Sequence, residues 1–493
     1  MTTAIEYRQA LDMERGLLNF EFDLPLEPLA NGAANPFYVD RPGNPFRQLE
    51  ESLLAPYFRP PKYFFSGHRG CGKSTELRRL AVHPGIAARY YPVHFTIRDE
   101  ADVTHLDFKD LLLAIGGRLY RDYTTRSRRL PPQIERELEE WRGRMQVEIE
   151  RSSRKTDIEV SGGLTAFFAQ VGLKMKIEPA TREVVRQVIE RDVTGLVAVI
   201  NKISAAIQAY EKRMPLILVD DLDKPDLPIA KDIFYGHRET MLQPNCAIIY
   251  TVSSPLFYST EFEAIRDRAI FLPNVKLHGQ GDRRPDRKGY ATMREFVTRR
   301  LHSALIAPHA LNHAISVSGG VFREMARVMR ASLLNALHGD RVELEHVRAA
   351  ENEIRGEYRR MLTVEQRELL KQVHATSRLD QPTQAAPLLQ ILAILEYADA
   401  EPWWDVHPTI ASLIGDYGND PALDEAADAA GARTNVDTRR SASRRVEHGH
   451  PLAPALDPDR HREPRSANPG AVGAPKMDPG RRSTRGNGAT RRD

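Results

Sequence analysis

The chain has 493 residues, 41% hydrophobic and 28% charged, with a formal net charge of only +3. That length allows two or three domains with a real core, and the near balance of charge excludes a chain-wide basic field of the kind that marks nucleic-acid or membrane binders. Two cysteines, Cys71 and Cys246, exclude a disulfide framework and suit a reducing compartment, so a cytoplasmic location is expected. The first 18 residues carry charges throughout and no apolar run reaches 18 residues, so neither a signal peptide nor a membrane span is expected.

In chain order, residues 1–35 read as an N-terminal leader. Residues 36–280 read as an α/β core. It begins with a proline-rich stretch holding one short helix at 45–54, then a short strand at 63–65, a glycine loop and a helix to residue 80. A second strand is predicted at 91–97 and an apolar helix at 108–120. A helical insertion spans about 124–212. Its first part, 124–160, is highly charged and reads as exposed. A hairpin is predicted around Gly162 and Gly163 within 157–177, and one long helical run over 181–212. Buried strands follow at 216–219 and 247–252; short apolar runs alternating with helices indicate a parallel sheet. Residues 281–360 read as a helical lid. Residues 361–420 read as a winged helix: helices at 363–374 and 386–397, then the aromatic extended segment 402–408. Residues 421–493 form a tail, and from about 431 it has no Ile, Phe, Tyr or Trp; it cannot bury a core and reads as disordered.

Four motifs carry chemistry. Gly67-His68-Arg69-Gly70-Cys71-Gly72-Lys73-Ser74 has the G-x-x-x-x-G-K-[ST] form of a phosphate-binding P-loop, with a strand before it and a helix after it. Glycines let the backbone wrap phosphates, and the helix presents its positive end to the anion. Lys73 is expected to reach the β- and γ-phosphates, Ser74 to ligate Mg²⁺, and Thr75 to contact the α-phosphate. Second, residues 216–219 run into Asp220 and Asp221, a Walker B strand: Asp220 holds Mg²⁺ through water and Asp221 serves as general base. Asp223 is either a cap or an indirect metal ligand. Third, Ser254, in Thr251-Val-Ser253-Ser254, is a candidate sensor of the γ-phosphate or orienter of water. Fourth, Arg323, opening a helix after Ser318-Gly319-Gly320, is positioned to reach phosphates from the lid. Arg266 and Arg268 read as solvated charges rather than arginine fingers, and the histidines show no metal-ligand spacing.

Taken together, these motifs resemble those of the ASCE division of P-loop ATPases, and within it the AAA+ and STAND-type members, including KAP-like and origin-recognition-like proteins. The phrase Leu218-Val-Asp-Asp-Leu-Asp-Lys224 is similar to KAP and STAND proteins, and Gly319-Gly320-x-x-Arg323 to the origin-recognition-like sensor region. The resemblance covers roughly residues 36–360. It implies a P-loop NTPase three-layer core with a parallel sheet, a helical lid and a winged helix, binding ATP and Mg²⁺ and working as a conformational switch. Tyr38 and Val39 stand where relatives contact adenine. Asp221 departs from the glutamate common in relatives, and the shorter acid implies slow hydrolysis. Because 388–395 is almost wholly apolar, a protein partner or self-association is expected ahead of DNA. The alternatives are a DNA-associated ATPase using the winged helix and basic tail, and a nucleotide-binding module without turnover.

Overall fold

The computed structural model describes residues 13–21, 24–29, 33–43, 46–126, 128–152 and 162–415. Its centre is a parallel sheet of β1 (Lys62–Gly67), β2 (Tyr90–Thr96), β3 (Met214–Asp220), β4 (Ala247–Thr251) and β5 (Ala269–Leu272), in the order β2-β3-β4-β1-β5. The strand that ends in the acids and the strand that enters the glycine loop are therefore separated by β4, the arrangement of a P-loop NTPase fold.

Alternation along each strand explains the layers. Phe64, Val93, Ile217, Val219 and Tyr250 join one core on one face, while Phe65, Tyr90, Leu216, Leu218 and Ile249 join another on the opposite face. With both faces covered, β3 is buried at every residue, and this is why its sequence is a continuous apolar run rather than an alternating one. The second core holds α1 (Arg47–Leu54) and α2 (Lys73–Val82); the first holds α3 (Phe108–Thr125) and the helices that follow it.

The insertion is helical but is organised differently from the sequence reading. It consists of α4 (Pro132–Ser152), α5 (Leu164–Ile177), α6 (Pro179–Arg191) and α7 (Val193–Glu211). The hairpin expected over 157–177 is replaced by α5, which buries Leu164, Phe167, Phe168, Val171 and Met175; residues 153–161 lie outside the described residues. The stretch expected to be exposed buries Leu138, Trp141, Met145 and Ile149 at helical spacing, because a charged sequence still presents an apolar stripe every three to four residues. The single run over 181–212 breaks at Asp192, whose side chain caps α7 by accepting from the Gly195 amide (3.0 Å). Helix α7 is long and apolar enough to cross a membrane by length and composition; here it buries Leu196, Ile200, Ile203 and Ile207 in the core.

The lid comprises α8 (Arg287–Thr298), α9 (Pro308–Val317), α10 (Phe322–Asn335) and α11 (Leu344–Met361). Beyond it come α12 (Val364–Thr376), α13 (Pro382–Gln390), the antiparallel hairpin β6 (Ile394–Ala398) and β7 (Pro402–Val406), and α14 (Pro408–Ile414). The helix expected to run to residue 397 stops at Gln390. Leu392 adopts a left-handed φ of 63°, and the rest of the apolar run becomes β6. Lid and C-terminal elements share one core, which also takes Met13 and Phe20 of the leader. The tail expected to be disordered, 421–493, lies outside the described residues.

Candidate functional site

At the carboxyl end of the sheet the chain leaves β1, turns through residues 68–72 and enters α2 with Lys73 as its first residue. Lys73 is buried. Its ammonium donates to the carbonyls of Gly67 (2.8 Å) and His68 (3.0 Å) and pairs with the Asp223 carboxylate (2.9 Å). Burial opposes its charge most strongly, but Asp223, Cys71 and Asp220 together hold the ammonium above its ordinary range. Reciprocally, burial pushes the Asp223 carboxyl up, while Lys73 and then Lys224 hold it well below the usual carboxylate range. Asp223 thus has a definite partner in the phosphate loop, which spacing alone did not identify.

The other two acids differ in setting. Asp220 is buried; burial raises its carboxyl, but hydrogen bonds with His94, Ser74 and the Asp221 amide (2.8 Å) bring it below its ordinary value. Ser74 and Asp220, both expected at the metal, therefore meet. Asp221 adopts a left-handed φ of 63°, a costly conformation for a residue with a side chain, and one of its carboxylate oxygens accepts from Thr96 Oγ1 (2.7 Å) at the end of β2.

These groups line a cavity of about 380 Å³ that also takes Gly70, Gly72, Lys73, Ser74 and Thr75. The lining also includes apolar and aromatic groups: Phe37, Tyr38 and Val39 from the leader side, and Phe296 and Phe322 of the lid. Tyr38 donates to the Glu76 carboxylate (3.2 Å), and burial followed by Glu76 raises its phenol. A cleft lined by cationic and hydroxyl groups together with flat apolar surfaces matches a nucleotide in chemistry. Among the described residues there is no group of three or more His, Cys, Asp or Glu able to hold a metal. Ser74 and Asp220 alone suit Mg²⁺ that keeps waters and phosphate oxygens as its other ligands.

Arg323 lies on the first turn of α10 and on the cavity wall. Its amide donates to Gly70 O (3.1 Å), and its guanidinium Nε is buried without a hydrogen-bond partner. Sequence reasoning missed other cavity residues. Thr96, Arg98 and Asp99 arrive because β2 runs parallel to β3 with Thr96 opposite Asp220. Arg41 donates to Pro273 O (2.8 Å) and lies over the Phe322 ring. Arg300 donates to Phe37 O and Phe296 O (both 3.0 Å), and burial, then Arg299, pushes it down to about 9.

Not every expected residue faces the cavity. Gly67, His68, Arg69 and Cys71 form the outer side of the loop, and Cys71 is core. Ser254 is buried at the start of the 3-10 turn Ser254–Tyr258, away from the cavity wall. The preceding strand end is consumed internally: Thr251 Oγ1 donates to Val219 O and accepts from the Leu222 amide (3.0 Å). Arg266 and Arg268 are exposed, and Arg266 pairs with Glu263.

His68 points instead to the C-terminal hairpin. Its Nε2 accepts from the Glu396 amide (2.8 Å), and burial, then Lys73, pushes the imidazole down to about 3, so it is neutral. The Glu396 carboxyl accepts from Tyr258 Oη, to which Trp404 Nε1 also donates (3.0 Å). Burial pushes this carboxyl up to about 7 against those hydrogen bonds. The fold therefore favours the protonated acid. Its stabilising effect is complete below pH 4.5 and is lost as pH rises to about 7, a change of about 3 kcal/mol. Glu396→Gln is expected to match wild type in denaturant unfolding at pH 4.5 and to exceed it at pH 8; equal pH slopes in the two proteins would disprove this.

No protein-family model and no curated protein matches the chain. Solved structures similar to it include Cdc6p from Pyrobaculum aerophilum, at 10% identity over 80% of this chain and 97% of that chain, with a TM-score of 0.35. The RuvB Holliday junction branch migration motor of Thermotoga maritima matches at 12% identity over 76% and 95%, with a TM-score of 0.30. At these scores the likeness carries nothing about activity.

Proposed function

We propose that the chain is a magnesium-dependent, slowly hydrolysing ATPase of the AAA+/STAND kind that works as a regulatory switch, of signalling or defence type. The reading is carried by the cleft between core and lid. Its lining brings together Lys73, Ser74, Asp220, Asp221 and Arg323 with Tyr38, Val39, Phe296 and Phe322. Bound Mg-ATP supplies an activated terminal phosphoryl bond. The α2 N-terminus and Lys73 hold the phosphates; Ser74 and Asp220 hold the cation; Arg323 meets the phosphates from the lid. Asp221 orients and deprotonates the attacking water.

Two features favour a switch over a fast motor. Asp221 is shorter than glutamate, and its carboxylate is turned to Thr96, so a rearrangement must precede catalysis. The phosphate loop is also bonded on its outer side to both moving parts: Gly70 O to the α10 amide of Arg323, and His68 to β6. A change at the phosphates therefore reaches the lid and the hairpin through two hydrogen bonds.

We read residues 361–415 as a winged helix that presents a surface to a protein partner or to a second copy. Its α13 contains no Lys or Arg, and phosphate contacts depend on them. Salt-sensitive DNA binding lost on deletion of residues 363–493 would transfer the assignment to DNA.

The test is titration of fluorescent N-methylanthraniloyl-ATP with Mg²⁺, alongside phosphate release. Wild type is expected to bind and turn over. Asp221→Asn is expected to bind within about threefold of wild type with turnover lowered by about 100-fold. Binding without wild-type turnover would make the chain a nucleotide-binding module, and no binding at millimolar nucleotide would overturn the proposal.

A further inference from the structure

The Lys73 ammonium has three hydrogens, and all three are engaged inside the protein: by Gly67 O at 2.8 Å, His68 O at 3.0 Å and Asp223 Oδ2 at 2.9 Å. Two of the acceptors belong to the loop itself. The third is a buried carboxylate three residues beyond Asp220, at the cavity wall, and it is the only anion the lysine touches among the described residues. A phosphate oxygen arriving at Lys73 must therefore share the ammonium with Asp223 or displace it. Asp223 has two other cations near it: Lys224, whose ammonium stands 3.7 Å from its Oδ1 and 3.8 Å from Asp221, and Arg69.

We propose that Asp223 is an internal competitor for Lys73 that makes nucleotide admission depend on a divalent cation. The inference rests on the nucleotide reading of the cleft. Without a divalent cation, a polyphosphate meets Asp220, Asp221 and Asp223 directly, in a lining whose other charges include Arg98, Lys224, Arg300 and Arg323, and it takes the lysine from Asp223. Beside the buried Asp220 and Asp223 that repulsion is screened less than between exposed charges. A divalent cation beside Ser74 and Asp220 removes the repulsion and gives Asp223 a new positive neighbour, so the exchange of partners at Lys73 becomes favourable. The pair thus distinguishes metal-bound nucleotide from free nucleotide before any chemistry occurs.

The experiment measures N-methylanthraniloyl-ATP affinity in excess Mg²⁺ and in EDTA. In wild type the ratio is expected to be about 100-fold or more. In Asp223→Asn it is expected to fall below about 10-fold, chiefly through tighter binding in EDTA, with binding in Mg²⁺ kept. Asp223→Glu, which retains the competing charge, is expected to keep the wild-type ratio. Asp99→Asn, an equal change of charge at another residue on the cavity wall, is expected to keep it too. Thermal melting of each variant separates loss of fold from loss of selectivity. A ratio in Asp223→Asn within twofold of wild type would overturn the proposal, as would an equal fall in Asp99→Asn. Failure of wild type to bind nucleotide in Mg²⁺ would overturn the nucleotide reading instead, and is thereby distinguishable.

Discussion

Lys73→Ala is expected to lower affinity for Mg-ATP at least about 100-fold and, in the absence of nucleotide, to lower stability by about 3 kcal/mol. Both effects have one origin. In the proposed function the lysine meets the β- and γ-phosphates, and in the structure it is the counter-ion of a buried acid. Removing it takes from Asp223 its one direct partner, leaving Lys224 at 3.7 Å and the more distant Arg69, and breaking one side of a buried pair costs about 3–5 kcal/mol. The two effects separate in the double variant. Lys73→Ala with Asp223→Ala removes the stranded charge, so stability is expected to return most of the way while nucleotide binding stays lost. Urea denaturation of the four proteins of the cycle, with nucleotide titration of each, measures both terms. If the double variant is no more stable than Lys73→Ala, the coupling drawn here between Lys73 and Asp223 is wrong.

Gly320→Ala is expected to destabilise the lid by about 3 kcal/mol or more. Gly320 has φ of 74°, a conformation that costs a residue with a side chain about 1–2 kcal/mol by itself. The larger cost is steric. A Cβ there would lie 1.8 Å from the carbonyl oxygen of Val275, and that backbone is tied in place because the Val275 amide donates to Gly320 O (3.1 Å). Nothing in the contact is a flexible side-chain end, so the segment linking the core to the lid must move. Gly281→Ala is the matched control: φ is 78°, with nothing within 4 Å of the added carbon. It is expected to cost only the dihedral term. Because Gly320 immediately precedes the helix that carries Arg323, the displaced lid of Gly320→Ala should also bind nucleotide more weakly than Gly281→Ala. Equal melting temperatures for the two variants would show that the close approach does not hold the lid.

What the sequence made legible has a physical pattern. Gly67 to Ser74 and the strand into Asp220 and Asp221 are local chemistry: the spacing of a few residues determines what the loop and strand end can do, so the residues are recognisable in isolation. Tyr38 and Val39 were readable only through the resemblance, as the place where relatives contact adenine; both line the cavity. Thr96 and Arg41 left no such signal. Thr96 reaches Asp221 only because two parallel strands place it opposite Asp220, and Arg41 reaches the cavity only through the packing of the lid. Pairing partners are a property of the sheet, and one strand's sequence does not contain them.

The misread segments fail for equally specific reasons. The apolar run from Leu388 suits a buried helix or a buried strand, and the chain uses it as both, with a left-handed Leu392 at the junction. The charged stretch that became α4 conceals its buried face among polar neighbours. Ser254 sits three residues past the strand end: the strand stops at Thr251, and Ser254 and Pro255 start a 3-10 turn off the cavity wall.

The bond between His68 and β6 gives the molecule an optical property. Of the three tryptophans, Trp403 and Trp404 lie on the hairpin, and Trp404 donates to the same tyrosine hydroxyl that holds Glu396. The third, Trp141, is buried in the helical insertion. Replacing Trp141 by phenylalanine would leave a chain whose indole emission comes from the hairpin alone. Events at the phosphate loop would then be visible as a colour shift, without any attached dye.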